Sequence, residues 1–414
     1  MEQPGREMIR LDEALGRVAA ELRDGDDRVE TVALDAALGR VLVAGVDADR
    51  DFPAADDSAM DGFAVRAADL DGADRLRLVG QSLAGAPFEG DLPGGACTRV
   101  MTGGLIPAGA DAVVPVERTS GFEPAGDGTV RFEGPVRAGD NVRGQGSVRR
   151  RGEALLRPGT RVTSAAIGVL AWAGRTEVTV GRRPRVAVLP TGDEVVEVGA
   201  VPGPGQVRNS NAWALAAQVA EAGGVPTRLP VLRDDGGRTK QVLAEALASH
   251  DLVCTIGGVS MGTKDLVRGA FAELGGEARI ESIRIKPGKP TFFGTVTLDG
   301  RRRWLLGLPG NPASTFTIFA LLGRAFCQLY QGRPEAEVLA RGKASLWYSK
   351  VRPNSRLQVL PARLRLAPDG VTALNIEQRS SADLFCFAEA EALFLAPEDT
   401  GPRDGEIVDW IPIP

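Results

Sequence analysis

From Arg185 onward, short apolar runs alternate with polar turns and helical patterns, and this alternation constrains the fold more than any other feature. "RVAVLPTGDE" is a continuous apolar strand that ends in a Gly/Asp turn. "NAWALAAQVAEAGG" follows with helical spacing and a Gly stop, then "PTRLPVL" as a strand and "RTKQVLAEALAS" as a helix. "DLVCTIGG" and "KDLVRGAFAELGG" repeat the unit, and "RWLLGLPGNPASTFTIFALLGRAF" repeats it again. Strands that alternate with helices predict βαβ units around a parallel sheet. In such sheets the loops at the carboxyl ends of the strands gather at one edge, where ligands bind.

The flanking text differs. Residues 8–22, "MIRLDEALGRVAAEL", carry apolar residues at helical spacing, and "LDAALGRVLV" within residues 30–48 reads as a second short helix. Between residues 51 and 145, runs such as "RLRLVG", "DAVVPVE" and "TVRFEG" are β-rich and punctuated by Gly and Pro, which predicts a small β-module. "RRRGEALLRPGTRVTSAAIGVLAWAG" returns to helix before the strand "RTEVTVG". After Gln331 the helical signals fade, and "KASLWYSK", "SRLQVLPARLRL", "GVTALNI" and "EALFLAP" read as strands of a C-terminal β-domain. No solenoid-type repeat is present.

Composition excludes several functions. The 49 basic and 54 acidic residues give a formal charge of −5, which argues against nucleic-acid binding through bulk electrostatics. Cys97, Cys254, Cys327 and Cys386 lie far apart without a C-x-x-C pair, so reduced, buried thiols are expected. With 1 histidine, His250, a zinc site or a His-based triad has almost no material. The N-terminal segment has no signal-peptide core, and no apolar run reaches the ~18 residues of a membrane span. A cytoplasmic protein that does not engage membranes is expected.

The polar turns carry the chemistry. "TGDE" (191–194), "RDD" (233–235) and "GGVSMGTKD" (257–265) follow strands; "IKPGKP" (285–290) precedes one; "GLPGNPAS" (307–314) opens a helix. Glycines let backbone N–H groups approach an anion, and a helix N-terminus adds partial positive charge. Ser260 and Ser314 add hydroxyls, and Lys286 and Lys289 add charged donors, each followed by a proline that stiffens the backbone. Such a set suits a phosphate or another oxyanion. Glu194, Asp234 and Asp265 lie in turns at the same edge. Carboxylates beside an anion need an intervening cation, and Mg²⁺ pairs one or two carboxylates with substrate phosphates. Taken singly, "TGDE" and "RDD" are also ordinary helix-cap chemistry, and "GGVSMG" alone is a weak signal.

The whole series resembles one family. "DDSAMDGFAVR" (56–66) is similar to its "DNSAMDGYAVR" signature, and "RVMTGGLIPAGADAVVPVE" (99–117), "PTGDE", "RDD", "GGVSMGTKD", "IKPGKP" and "GLPGNP" follow in the family order. That family is the molybdopterin molybdenumtransferases (MoeA), related to the gephyrin E domain. The resemblance implies a multidomain α/β plus β fold. A helical linking domain (1–50 and 146–183) would carry an inserted β-module (51–145). A central parallel-sheet, MogA/MoaB-like molybdopterin-binding domain (184–331) and a C-terminal β-barrel-like domain (332–414) would follow. It further implies an elongated homodimer that inserts molybdate into adenylylated molybdopterin, with Mg²⁺-dependent release of AMP. Partners implied beyond the second subunit are a molybdopterin adenylyltransferase and molybdoenzyme maturation proteins.

Transferred motif by motif, Asp61 and Thr102 would approach from the β-module of the partner subunit. Glu194, Asp234 and Asp265 would serve Mg²⁺ and water activation. Lys286, Lys289 and Ser314 would hold molybdate or the phosphate. Gly257, Gly258, Val259 and Ser260 would contact the pterin phosphate region, and Pro309, Gly310, Asn311 and Pro312 would shape the pocket. Two stretches depart from the pattern. Where the family writes N-I-R-x-x-G-E-D, this chain has "NVRGQGSVRRRGEA", with Ser147 and Val148 at the ungapped acid pair; shifted, Glu153 supplies the Glu but Ala154 still replaces the Asp. Near the C-terminus, Cys386 replaces a serine and Glu391 an asparagine of S-M-x-x-A-N-A-L. These departures motivate an alternative, a catalytically weak molybdopterin carrier or gephyrin-like scaffold. A nucleotide-dependent oxidoreductase is disfavoured because no G-x-G-x-x-G follows a strand.

Overall fold

The computed structural model describes residues 8–23, 28–258, 266–347, 350–368 and 370–413. They form two compact units. The larger takes in Met1–Ala44, Pro158–Ser164 and Glu177–Pro414, and the smaller takes in Gly45–Arg157 and Ala165–Thr176.

The larger unit is built on the expected α/β series: β1 (Arg185–Pro190), α1 (Ser210–Glu221), β2 (Val225–Arg228), α2 (Gly236–Ser249), β3 (Leu252–Ile256), α3 (Leu266–Glu273), β4 (Glu277–Ile280), β5 (Phe292–Leu298) and β6 (Arg301–Leu308). The strands lie in the order β2-β1-β3-β6-β5-β4. The first four run parallel. The other edge is antiparallel, so the sheet is mixed. Its reason is local: Asp299 and Gly300, both at positive φ, close a tight hairpin between β5 and β6.

Period-two alternation splits each central strand between two cores. Val186, Val188, Cys254 and Leu306 pack with Leu215 and Val219 of α1 and with Phe326. Ala187, Leu189, Val253 and Leu305 face Leu243, Leu247 and Phe271. Burial of each large aliphatic or aromatic side chain contributes about 1.5–3 kcal/mol, enough to lock the register of the strand ends that carry the site. The helix Leu11–Leu22 adds Leu11, Ala14, Val18 and Leu22 to the first of these cores. Beyond β6, α4 (Pro312–Ile318) passes through a π-turn at Phe319–Gly323 into α5 (Arg324–Tyr330).

The C-terminal region is a closed barrel of β7 (Gly342–Trp347), β8 (Leu357–Ala367), β9 (Gly370–Asn375), β10 (Ala392–Ala396) and β11 (Ile407–Pro412). The order is β8-β9-β7-β11-β10, and β10 returns to pair with β8. Ala344, Leu346, Ala362, Phe394 and Val408 fill it. Ile285 and Lys286, at the start of "IKPGKP", pair in parallel with Leu357 and Gln358 of β8. That pairing ties the lysine turn to the barrel wall.

The smaller unit holds a five-stranded sheet in the order Ala112–Pro115, Gly62–Val65, Ala96–Val100, Arg75–Ser82, Thr129–Arg131. Phe63, Val65, Cys97, Val114 and Val130 form its core, and the Phe63 and Phe132 rings meet edge to face at 5.9 Å.

Two expectations need correction. "LDAALGRVLV" forms only a 3₁₀ turn at Leu34–Ala36, and Val41 and Leu42 then make β-bridges to Arg161 and Val180. The valines disfavour a helix. The buried guanidinium of Arg40 donates to the Gly181 carbonyl at 2.8 Å, which ties the segment to a neighbouring strand. In "RRRGEALLRPGTRVTSAAIGVLAWAG" the helix is confined to Ser164–Trp172, while Ala154–Leu156 is a strand. All four cysteines are free and buried, as expected. Among the described residues no helix is long and apolar enough to cross a membrane.

Candidate functional site

The carboxyl ends of β1, β3 and β6 open on a cleft of about 590 Å³, lined by Thr191, Glu194, Asn209, Gly257, Gly258 and Asn311 among others. Gly257 has φ +89°, and a Cβ there would sit 2.8 Å from Thr191 Oγ1, so only glycine lets the β3 turn pass this close to the β1 turn. Thr191 Oγ1 donates to the Ile256 carbonyl at 3.1 Å and fixes that approach. Across the cleft, Asn211 Nδ2 donates to the Gly310 carbonyl at 2.8 Å and holds the "GLPGNP" turn. Asn311 then flanks the first residue of α4, Pro312, whose fixed φ suits that position.

A second cavity, of about 560 Å³, lies between the lysine turn and the barrel. It shares Pro290 and Asn311 with the first. Its lining carries Lys286, Lys289, Lys350, Arg352, Arg356 and Arg379 against one carboxylate, Glu377. Ser314, 4% exposed, also lines it. Ala313 N–H donates to the Ser381 carbonyl at 3.1 Å and holds the segment with Arg379 across the start of α4. Concentrated positive charge around a buried hydroxyl is oxyanion chemistry.

The "RDD" turn divides its labour. Asp235 caps α2 by accepting from Arg238 N–H at 2.9 Å. Asp234 N–H donates to Asp193 Oδ1 at 3.2 Å, which stitches this turn to "TGDE". The Asp234 side chain is left exposed beside the Glu194 loop and lines neither cavity.

In the smaller unit, Thr102 donates its backbone N–H and its hydroxyl to Asp61 Oδ1 at 2.7 and 2.8 Å. These bonds hold the Asp61 carboxyl below its ordinary value of 3.8, the backbone bond contributing most. The neighbouring turn is anchored by Arg143, which donates to both oxygens of Asp57 at 2.8 Å.

Of the site residues expected from sequence, the structure gathers Glu194, Gly257, Gly258, Pro309, Gly310, Asn311 and Pro312 in the first cavity, and Lys286, Lys289, Asn311 and Ser314 in the second. Asp61 and Thr102 are paired with each other. Val259, Ser260 and Asp265 lie outside the described residues. Sequence reasoning missed Lys350 and Arg379 and left Arg352 and Arg356 unassigned, because scattered basic residues in loops carry no local signature.

Among the described residues no group of three or more His, Cys, Asp or Glu gathers as a metal site. Glu194 and Asp234 nonetheless offer carboxylate oxygens from two stitched turns. Mg²⁺ takes one or two carboxylates and completes its shell with water and phosphate, and Glu194 at the cleft suits it as such a ligand.

The departures from the family pattern are absorbed structurally. Val148 is an exposed turn residue whose N–H donates to the Phe52 carbonyl at 2.9 Å. Glu391 Oε2 accepts from Leu364 N–H at 2.8 Å and so serves the barrel backbone. Cys386 Sγ donates to the Asp383 carbonyl at 3.1 Å, and burial pushes its thiol up to about 11.

Fold and site together define a multidomain α/β plus β protein with an open sheet edge beside a cationic pocket. Residues 9–174 match the MoeA N-terminal region (domain I and II), and residues 187–328 match the probable molybdopterin binding domain family. The chain is 32% identical over 409 residues to a molybdopterin molybdenumtransferase of Bacillus subtilis, covering 97% of this chain and 94% of that one. To the Haemophilus influenzae molybdopterin molybdenumtransferase it is 34% identical over 328 residues, 79% of each chain. The solved structure of the molybdopterin biosynthesis MoeA protein from Pyrococcus horikosii superposes with TM-score 0.79 at 30% identity, covering 98% of this chain and 99% of that one. The chain belongs to the molybdopterin molybdenumtransferase (MoeA) family.

Proposed function

We propose that this chain inserts molybdenum from molybdate into adenylylated molybdopterin and releases AMP. One observation carries the reading: an open-backbone cleft bearing Glu194 meets a six-cation pocket at Pro290 and Asn311. A substrate with a phosphoanhydride and an incoming oxyanion needs these two environments side by side.

The glycine turn at Gly257–Gly258 brings backbone up to the pterin phosphate region. Lys286 and Lys289 hold the oxyanion through charge-assisted hydrogen bonds, and Ser314 contributes a hydroxyl. Glu194 orients the water that attacks the adenylyl phosphorus and takes its proton; the anhydride P–O bond breaks, AMP leaves and the other phosphate stays on the pterin, while the dithiolene thiols bond molybdenum as an oxygen of molybdate leaves as water. Glu194, Asp234 and Asp265 would hold Mg²⁺, which would supply charge neutralisation for the anhydride when bound. The reading includes a homodimer as the working form, a cytoplasmic location, and an adenylyltransferase upstream that makes the adenylylated substrate.

The test is incubation with adenylylated molybdopterin, molybdate and Mg²⁺, with AMP followed by chromatography. Molybdate-dependent AMP release is the expected result. Its absence, while the Bacillus subtilis relative turns over in parallel, refutes the proposal.

A further inference from the structure

Arg233 precedes the two carboxylates of "RDD" and engages the backbone of another turn. Its Nη1 faces the carbonyls of Gly192, Asp193 and Val195 at 3.3, 2.7 and 3.3 Å. Those carbonyls bracket Glu194 on both sides. Gly192 N–H donates to the Leu232 carbonyl at 3.0 Å, so the two turns are also joined through backbone. Gly192 itself has φ +130°, and a Cβ there would lie 2.6 Å from Glu194 Oε2. The Glu194 carboxylate, which lines the cleft, therefore also lies close to Gly192 of its own turn, and its position depends on how the turn is curled.

A ring of carbonyls that converge on one point repel one another unless a cation sits at the centre. The guanidinium supplies that cation. We infer that Arg233 is a positioning residue: it holds the 191–196 turn in the curl that points Glu194 into the cleft, and it acts on the reaction only through Glu194. The inference rests on the reading of the cleft as the place of anhydride cleavage. The Arg233–carbonyl contacts exist independently of that reading.

The test uses Arg233→Met, Arg233→Lys and Glu194→Gln in the full-length protein. Amide hydrogen exchange is read on a peptide spanning residues 190–197. In Arg233→Met, exchange there is expected to rise about fivefold or more, while that of β3 stays unchanged and thermal unfolding remains cooperative. Arg233→Lys is expected to fall between, since an ammonium keeps the charge and donors on one nitrogen but on a stem one bond shorter than the one that carries Nη1. Unchanged exchange in the 190–197 peptide overturns the inference. With turnover, Arg233→Met is expected to lower kcat about tenfold with KM within twofold. In the Glu194→Gln background the same change is expected to alter kcat by less than twofold. Multiplicative losses in the double variant overturn the inference, because they place Arg233 on a route that bypasses Glu194. If the unmodified protein releases no AMP, the functional reading fails, and hydrogen exchange still decides whether Arg233 sets the turn.

Discussion

Thr102 closes on Asp61 with two donors, backbone and hydroxyl, that both reach Oδ1 within 2.8 Å. This pins an exposed carboxylate in one orientation on the surface of the β-module and favours its ionised form. Thr102→Val keeps the shape and the backbone bond and removes one donor. The Asp61 carboxyl is then expected to rise toward 3.8, read by carbon-detected NMR titration. Because the folded value is depressed, the bond's contribution to stability is present above 3.8 and is lost as pH falls through the lower folded value. At neutral pH Asp61 is ionised in both proteins. Any loss of AMP release in Thr102→Val therefore reports orientation rather than charge.

Gly288 sits against Ile318, and a Cβ added there would lie 2.4 Å from Ile318 Cδ1 on a backbone with φ +113°. Gly288→Ala must therefore displace the turn that carries Lys286 and Lys289. The strain is expected to cost about 1–3 kcal/mol, visible as a lower Tm. Molybdate binding measured by calorimetry is expected to weaken by on the order of tenfold, because the lysines move together. Gly288→Ala combined with Ile318→Val relieves part of the clash and is expected to recover part of both losses.

Much of this arrangement is legible in the sequence, for a physical reason. β1, β3 and β6 are apolar runs long enough to be buried on both faces, and their turns carry the polar residues, so strand ends and candidate site coincide in the text. "LDAALGRVLV" misleads because its apolar spacing fits a helix, while the buried Arg40 and its bond to Gly181 are long-range facts. The barrel's last strand, "EIVDWIP", mixes charge and apolar residues over a short span and gives no clean alternation. Arg352, Arg356 and Arg379 reach one pocket only through the barrel's topology. Arg233 is hidden for another reason: in "RDD" the acids attract attention, whereas the arginine does its work on another turn's carbonyls.

The cationic pocket predicts a salt-sensitive ligand. With six basic side chains against Glu377, oxyanion binding is expected to fall steeply as ionic strength rises, since exposed charges are screened over about 8–10 Å at physiological salt. Lys289→Ala removes one charged donor and is expected to cost about 1.5–3 kcal/mol, on the order of tenfold to a hundredfold in Kd. Molybdate titrations at low and high sodium chloride check both statements. A salt-independent Kd excludes an electrostatic pocket.

Asp251 lies at the opposite end of β3 from the cleft and joins the fold through ion pairs and backbone hydrogen bonds. It is 3% exposed, accepts from Arg182 at 3.1 and 3.2 Å and from Arg185 N–H at 2.8 Å, and lies 3.4 Å from Arg303. Burial by itself raises the Asp251 carboxyl; the Arg182 and Arg185 bonds outweigh it and leave the group below 3.8. Asp251→Asn removes the buried negative charge that faces Arg182 and Arg303 and is expected to destabilise the protein by about 3–5 kcal/mol in urea unfolding at pH 7. The folded value is depressed, so this stabilisation is full above 3.8 and disappears as pH falls through the lowered value. The gap between the two proteins is therefore expected to narrow below about pH 4. Molybdate affinity at neutral pH, read on the folded variant, is expected to stay within twofold, because neither cavity includes Asp251 or its partners. A large loss of affinity in a fully folded Asp251→Asn would mean that the amino-terminal end of the sheet controls the site at the other end.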